Sequence, residues 1–420
     1  MRMYDILIIG AGASGMMSAI TAKCKNSGLS IALIEKNDRV GKKLIATGNG
    51  RCNITNDDIS KDHYYSSCEN YFDYFSGFLT EQTETFFNNL GVIFKRGDDG
   101  KVYPYSLQAS SVLDALRFKC EQCGIDLHCG CRVISVNKKN EEFDVLTESE
   151  TFRSKVLIIA AGGAASDKLG GCNDGYTFLK SLGHKCTPLY PSITAVKTDI
   201  SKIRALKGIK TDTTITICTD KCKKSVFGEV LFTEYGLSGP PVLQLSQVLH
   251  GKADGAYFLL DLMPEYSFNQ VLDYIKYRCV FIHEDKLENL FVGMLNKRIG
   301  QTVVKSAGLS LSQSASILSE KEMRALSSEI KKFRINITGV KGFEYAQVTG
   351  GGIDLREFDV DTLQSRKCKN LFACGEVLDM TGDCGGYNLQ WAWASGHSAG
   401  TAAAAAAADA DAIQKRVSQR

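Results

Sequence analysis

The sequence predicts an α/β protein built on a doubly wound parallel sheet whose strands come from both ends of the chain. Three observations carry that expectation. Apolar runs at 4–9, 156–160 and 371–374 are each followed by glycine within two residues, as expected of strands buried on both faces of a parallel sheet. Residues 4–35 form a compact strand–helix–strand unit. The middle of the chain changes character and reads as an insertion. In doubly wound sheets ligands sit at the carboxyl ends of strands, so the three glycine endings are expected to converge on one ligand.

Taken in order, the run YDILII leads directly into a helix and then a second short strand at 31–34. Residues 110–123 carry Val112, Leu113, Leu116 and Cys120 at helical spacing, followed by Gly124 and an alternating strand over 125–136. Segments 209–219 and 226–233 are Thr/Val/Ile-rich, as antiparallel strands with one wet face would be. Helical spacing returns at 268–282, and Ser319 with Glu322 offers a capping box for a helix ending near Phe333. Residues 389–419 read as one helix, with Gly396 and Gly400 permitting close packing and an alanine run at 402–408. The expected organisation is a doubly wound domain from 1–190 and 341–420, interrupted by a β-rich unit at 191–265 and a helical unit at 266–340.

Composition bounds the function. The chain has 420 residues and a net charge of +3 spread along its length, without the dense basic stripe of a nucleic-acid surface, so no nucleic acid is expected as partner. Apolar runs fall short of the ~18 residues of a membrane span and the first residues lack a signal-peptide layout, so a cytoplasmic protein is expected. The 15 cysteines read as reduced thiols. Cys120, Cys123, Cys129 and Cys131 form a C-x2-C-x5-C-x-C array with the alternative of a metal site, against which their helix–strand setting makes cysteine a small buried apolar filler.

Gly10-Ala-Gly12-Ala13-Ser14-Gly15 follows a strand and opens a helix, and Glu35 ends the next strand. Gly10 permits the tight turn, Gly12 lets backbone approach a pyrophosphate, and Gly15 lets helix pack on strand, with the helix N-terminus facing the negative charge. Glu35 can accept hydrogen bonds from an adenosine ribose, and its carboxylate disfavours a 2′-phosphate. Lys36, Val133, Ala161, Gly162 and Gly163 complete this end of the expected site.

The fingerprint by itself does not separate FAD from NAD. The segment Gly375-Glu376-Val-Leu-Asp379, continuing through Gly386, Asn388 and Leu389, makes the separation. There a glycine-rich loop enters a long helix whose free N–H groups would face an anion. In a flavoprotein that anion is the N1–O2 edge of the reduced isoalloxazine. No second strand–GxGxxG–helix unit offers a separate NAD(P)H pyrophosphate site. Lys43, Gly48, Asn49, Gly50, Arg51, Cys52 and Asn53 lie in a stretch whose cations suit a pyrophosphate and whose backbone suits a flavin; a solvated Gly/Asn loop is the bland alternative. Gly351, within a run of three glycines, permits close backbone approach to the ring.

The motifs GAGASG at 10–15, GKKLIATGNGRCNITN at 41–56, VYPYS at 102–106, AAGGAAS at 160–166, LFTEYGLSGPP at 231–241, VTGGGI at 348–353 and GEVLDMTGDCGGYNLQWAWASGHSAG at 375–400 resemble the BaiN-like flavoproteins, also called the YhiN or aminoacetone oxidase family. The resemblance covers nearly the whole chain. It implies FAD, a glutathione-reductase-like cofactor domain with inserted β-rich and helical units, and activities that range from reduction of ring double bonds in 3-oxo bile-acid intermediates to oxidation of small amines. Many relatives carry histidine where this chain has Glu234, so an acid–base role there does not transfer. Cys52 lies in the GRCN motif without a C-x-x-C partner, which favours packing or a place beside the flavin over a redox relay.

The expected chemistry is hydride exchange at flavin N5 with a small-molecule substrate, with NAD(P)H as electron donor and an unsaturated ring as acceptor. Tyr103, Tyr235, Tyr387 and His397 are the candidates for donating a proton or polarising a carbonyl, against the bland role of a buried tyrosine that satisfies one hydrogen bond. Two alternatives stand beside this one: an oxidase of small amines, and a non-catalytic or tRNA-modification-linked flavoprotein.

Overall fold

A computed structural model describes residues 2–220, 222–281 and 285–418. Ile282 and Gln419, the expected last residues of two helices, lie outside the described residues. The chain divides into two compact units, Met1–Tyr190 with Gln347–Arg420, and Pro191–Ala346.

In the first unit the strand Arg2–Ile9 lies at the centre of a sheet, parallel to Ile31–Ile34 on one side and Thr151–Ile159 on the other. Leu371–Ala373 pairs in parallel with the end of Thr151–Ile159, so a single strand separates this late strand from the first one of the chain. The continuous apolar runs follow from burial on both faces, since Ile6, Leu7, Ile8, Leu157 and Ile158 are all fully buried. The helices Ala13–Lys25 and Tyr387–Ser418 pack closely. An added Cβ would come within 2.6 Å of the Ser14 carbonyl at Gly396 and 2.3 Å of the Ser18 carbonyl at Gly400.

One expectation is corrected. Residues 125–136 do not form one strand. Asp126–His128 extends the parallel sheet beside Ile31–Ile34, and Val133–Lys139 begins an antiparallel meander with Glu142–Thr147 and Thr151–Ile159. The break falls at Gly130, whose φ is +66° and whose N–H donates to the Asn37 carbonyl at 2.7 Å. Alternation continues through the turn, so periodicity alone conceals it.

The second unit is a closed antiparallel barrel in the order Val196–Thr198, Gly236–Ser238, Lys223–Phe232, Lys210–Cys218, Tyr257–Asp261 and Phe333–Val340. The helices Phe268–Phe281, Lys297–Ser306 and Glu320–Lys331 lie in sequence between its last two strands. Ser319 and Glu322 cap the third of these reciprocally. Barrel side chains such as Ile215, Phe232 and Phe258 share one apolar cluster with Val271, Val303 and Leu326 of the helices. All fifteen cysteines are free. Among the described residues no helix is long and apolar enough to cross a membrane, and no group of three or more His, Cys, Asp or Glu side chains is placed to hold a metal ion.

Candidate cofactor and active site

The first turn is built by two glycines that the chain itself demands. Gly10 has φ +105° and its absent Cβ would lie 2.3 Å from the Ala160 carbonyl, while a Cβ on Gly15 would lie 1.9 Å from the Gly10 carbonyl. Gly12 differs: nothing stands within 4 Å of the Cβ position, so its surface is open. It caps Ala13–Lys25 without a side-chain hydrogen bond, leaving the N–H groups around Ala13 and Ser14 and the positive end of the helix dipole available to an anion. Glu35 is buried and accepts from Ala11 N–H at 3.1 Å and from the Asn37 main chain and amide at 2.9 and 2.6 Å. Lys36 is half-buried beside it. The Cys131 N–H donates to the Glu35 carbonyl at 2.9 Å, which brings the strand beginning at Val133 to the same corner.

A second cluster joins four distant segments. The Lys43 ammonium meets Glu376 at 2.7 and 3.0 Å. Thr349 N–H donates to the same carboxylate at 2.8 Å, and Thr349 Oγ1 accepts from Ala165 N–H at 2.9 Å. A Cβ at Gly163 would fall 2.5 Å from Thr349 Oγ1, and one at Gly375 would fall 2.4 Å from Ser14 Oγ. The segments around Gly10, Lys43, Ala161, Thr349 and Gly375 are therefore one locus. Gly162 faces open space there, whereas Gly351 is required by the Pro188 carbonyl, 2.3 Å from its Cβ position.

The third part is loop backbone. Gly48, Asn49, Gly50 and Cys52 all have left-handed φ, between +55° and +81°, and the tight loop they make is closed by the Arg51 and Cys52 N–H groups, which donate to the Gly48 and Thr47 carbonyls at 3.2 and 3.0 Å. Cys52 is fully buried, and burial pushes its thiol up to about 12, so it stays protonated and serves packing. Asn53 Oδ1 is buried without a hydrogen-bond partner, a costly condition that a ligand donor would relieve. Arg51 lies over the Tyr103 ring, 5.1 Å from its centroid. Across from this loop the Asn388 amide accepts from Gly382 N–H and donates to the Gly382 carbonyl, both at 2.8 Å, closing the turn that launches Tyr387–Ser418. Gly386 sits on Thr55, whose carbonyl would be 2.5 Å from an added Cβ, and Leu389 is half-buried in the first helical turn. Asp379 is buried, accepts from Ser67 N–H at 3.1 Å and from its hydroxyl, and is pushed upward by burial.

The expected acid–base candidates separate. Tyr103 lies in the strand Lys101–Pro104 beside Arg51, and Tyr387 follows the Gly382–Gly386 turn. Tyr387 is the first residue of its helix, and burial drives its phenol upward. His397 lies ten residues further along the same helix, about 15 Å at the helical rise, stacked on Phe78 with centroids 4.5 Å apart. Tyr235 belongs to the barrel unit, with the Lys341 ammonium 4.6 Å from its centroid; Glu234 beside it is exposed and pairs with Lys207 at 2.6 Å. Sequence reasoning missed His63. Its Nδ1 is 3.1 Å from Asp383, its Nε2 is 3.0 Å from Asp58, and its ring stacks on Tyr387 at 4.4 Å. No local motif could reveal this, since Asp383 is 320 positions away.

An uncapped helix start behind an open glycine, a left-handed loop and an orphaned buried acceptor suit a dinucleotide whose far end is a planar ring. Fold and site together define a Rossmann-type flavoprotein of the FAD-binding kind. The chain belongs to the HI0933-like protein Rossmann domain family, which matches residues 4–402. It is 32% identical to the 3-dehydro-bile acid Δ(4,6)-reductase of Clostridium scindens, over 95% of this chain and 98% of that protein. It is 30% identical to the ribosomal RNA dihydrouridine synthase of Escherichia coli, over 94% and 96% respectively. Among solved structures, the FrdA chain of Escherichia coli quinol–fumarate reductase aligns with TM-score 0.50 at 17% identity, covering 100% of this chain and 74% of that one.

Proposed function

We propose that this protein is an FAD-dependent reductase of a ring carbon–carbon double bond conjugated to a carbonyl, with a 3-oxo bile-acid or steroid-like enone as substrate and NAD(P)H as electron donor. The observation that carries the reading is the meeting of the segments around Gly10, Lys43, Ala161, Thr349 and Gly375 in one locus. When bound, FAD supplies the hydride chemistry. Residues Gly10–Gly15 would hold its phosphates and Glu35 its ribose. Lys43, Asn49–Asn53 and the turn before Tyr387 would hold the flavin end. On this reading Tyr387 or Tyr103 donates the proton to the carbon beside the substrate carbonyl, a phenol O–H being a hydrogen-bond donor.

The second curated relative favours a second reading, reduction of uridine in ribosomal RNA. A uracil ring also presents a double bond conjugated to a carbonyl, so the two readings share one reaction and differ in how the ring is delivered. The test is anaerobic reduction of bound flavin by NADH or NADPH, followed by stopped-flow reoxidation with a 3-oxo-4-ene bile acid, ribosomal RNA lacking dihydrouridine, or oxygen. Fast reoxidation by the enone supports the first reading and by RNA the second. Fast reoxidation by oxygen alone points to an oxidase and contradicts both.

A further inference from the structure

The His63 cluster is a group of titratable side chains beside this site that the proposed chemistry leaves unused. Strand residues Tyr64–Tyr65 pair antiparallel with Thr381–Gly382, and Asp383 N–H donates to the His63 carbonyl at 2.8 Å. The side chains repeat the contact. His63 Nδ1 is 3.1 Å from Asp383 Oδ2, Tyr65 donates to Asp383 Oδ1 at 3.0 Å, and Tyr64 donates to the Tyr387 carbonyl at 3.0 Å. Asp383 is 2% exposed and Asp58, on the other imidazole nitrogen, is largely exposed.

The chemistry of the ring makes this tether conditional. An imidazolium has two N–H groups and can donate to both carboxylates; a neutral imidazole has one, and turns a lone pair toward the other carboxylate. The stacked Tyr387 ring also favours a cation over its face. The groups facing His63 are Asp58, Asp383 and Tyr387, with Tyr65 reaching it through Asp383; Cys384 lies near both Asp383 and Lys101, and Asp99 lies near Tyr387.

Resting on the proposed FAD site, we infer that His63 is a positioning residue whose protonated form holds the Asp383–Tyr387 turn in the shape that binds the flavin. Proton loss loosens the turn at Asp383 while Asn388 and Asn56 keep it in place, since Asn56 donates to the Gly385 carbonyl at 3.0 Å. Affinity for FAD then weakens without unfolding.

The experiment is titration of apoprotein with FAD, followed by visible absorbance at pH 5.5 and pH 8.5. Wild type is expected to bind roughly fivefold more tightly at the lower pH, the scale of one charge-assisted hydrogen bond partly lost. His63→Gln should bind with one affinity at both pH values, close to that of wild type at pH 8.5. Asp58→Asn, a surface change that leaves the Asp383 contact intact, should show a reduced pH ratio. Equal pH ratios in wild type and His63→Gln overturn the inference while leaving the FAD site standing; wild type that binds no FAD at either pH overturns both.

Discussion

Lys43 and Glu376 are 333 positions apart in sequence and 2.7 Å apart in space. The pair is the shortest physical statement that the two ends of the chain make one site. Both side chains are partly shielded, at 31% and 19% exposure, so the pair is worth more than a surface contact yet less than a buried one. Lys43→Met strands the carboxylate and should cost about 1–2 kcal/mol of stability together with about tenfold in FAD affinity, by thermal melts and FAD titration. Glu376→Gln keeps the bond to Thr349 N–H and should be milder in the melt; a double-mutant cycle with no coupling would contradict the assignment.

Gly12 and Gly15 are to be told apart by alanine. Gly15→Ala forces a Cβ against the Gly10 carbonyl and should destabilise by about 2–4 kcal/mol. Gly12→Ala has room in the free protein, so its melting temperature should hold while FAD affinity falls at least tenfold. Equal loss of stability in the two variants would contradict the view that Gly12 faces a ligand.

His184 is buried, within 3.0 Å of Glu357 through Nδ1 and 2.9 Å of Ser365 through Nε2. Burial lowers its proton affinity despite Glu357. Burial acts against Glu357, but Lys367 and the Lys185 N–H bring it below its usual range. For both groups the unfolded chain binds protons at a pH where the native state does not, so stability rises with pH. The histidine contribution is complete above its unfolded value of 6.5 and is lost as pH falls from there through the lower native value. Denaturant melts from pH 7.5 to 5 should show this decline, with a shallower slope in His184→Gln.

His397→Gln should leave the rate of flavin reoxidation by substrate within about threefold, because the ring packs on Phe78 away from the loops. Tyr387→Phe should slow it by about 10²–10⁴, the usual weight of a general acid. An unchanged rate in Tyr387→Phe would pass that role to Tyr103, testable by the same substitution.

Much of this was legible in the chain. The strands Arg2–Ile9, Thr151–Ile159 and Leu371–Ala373 announce themselves because burial on both faces demands unbroken apolar residues, and the glycines after them because backbone crosses backbone there. The capping box at Ser319 is equally local. Less visible were features that depend on partners. Gly130 interrupts 125–136 through a bond to Asn37, and the barrel closes by pairing Phe333–Val340 with a strand more than a hundred residues earlier. His63 acquires its setting from Asp383 and Tyr387. Periodicity reports which face of an element is buried, never what it is buried against.

The central claim is that both ends of the chain grip one FAD. Its most direct measurement is the visible spectrum of purified protein, with titration of stripped apoprotein by FAD in parallel for wild type, Gly12→Ala and Lys43→Met. A flavin spectrum in the wild type, one FAD per chain, and weakened binding in both variants are the predicted result. Colourless protein that ignores added FAD, or variants at opposite ends of the chain that bind as wild type does, would contradict it.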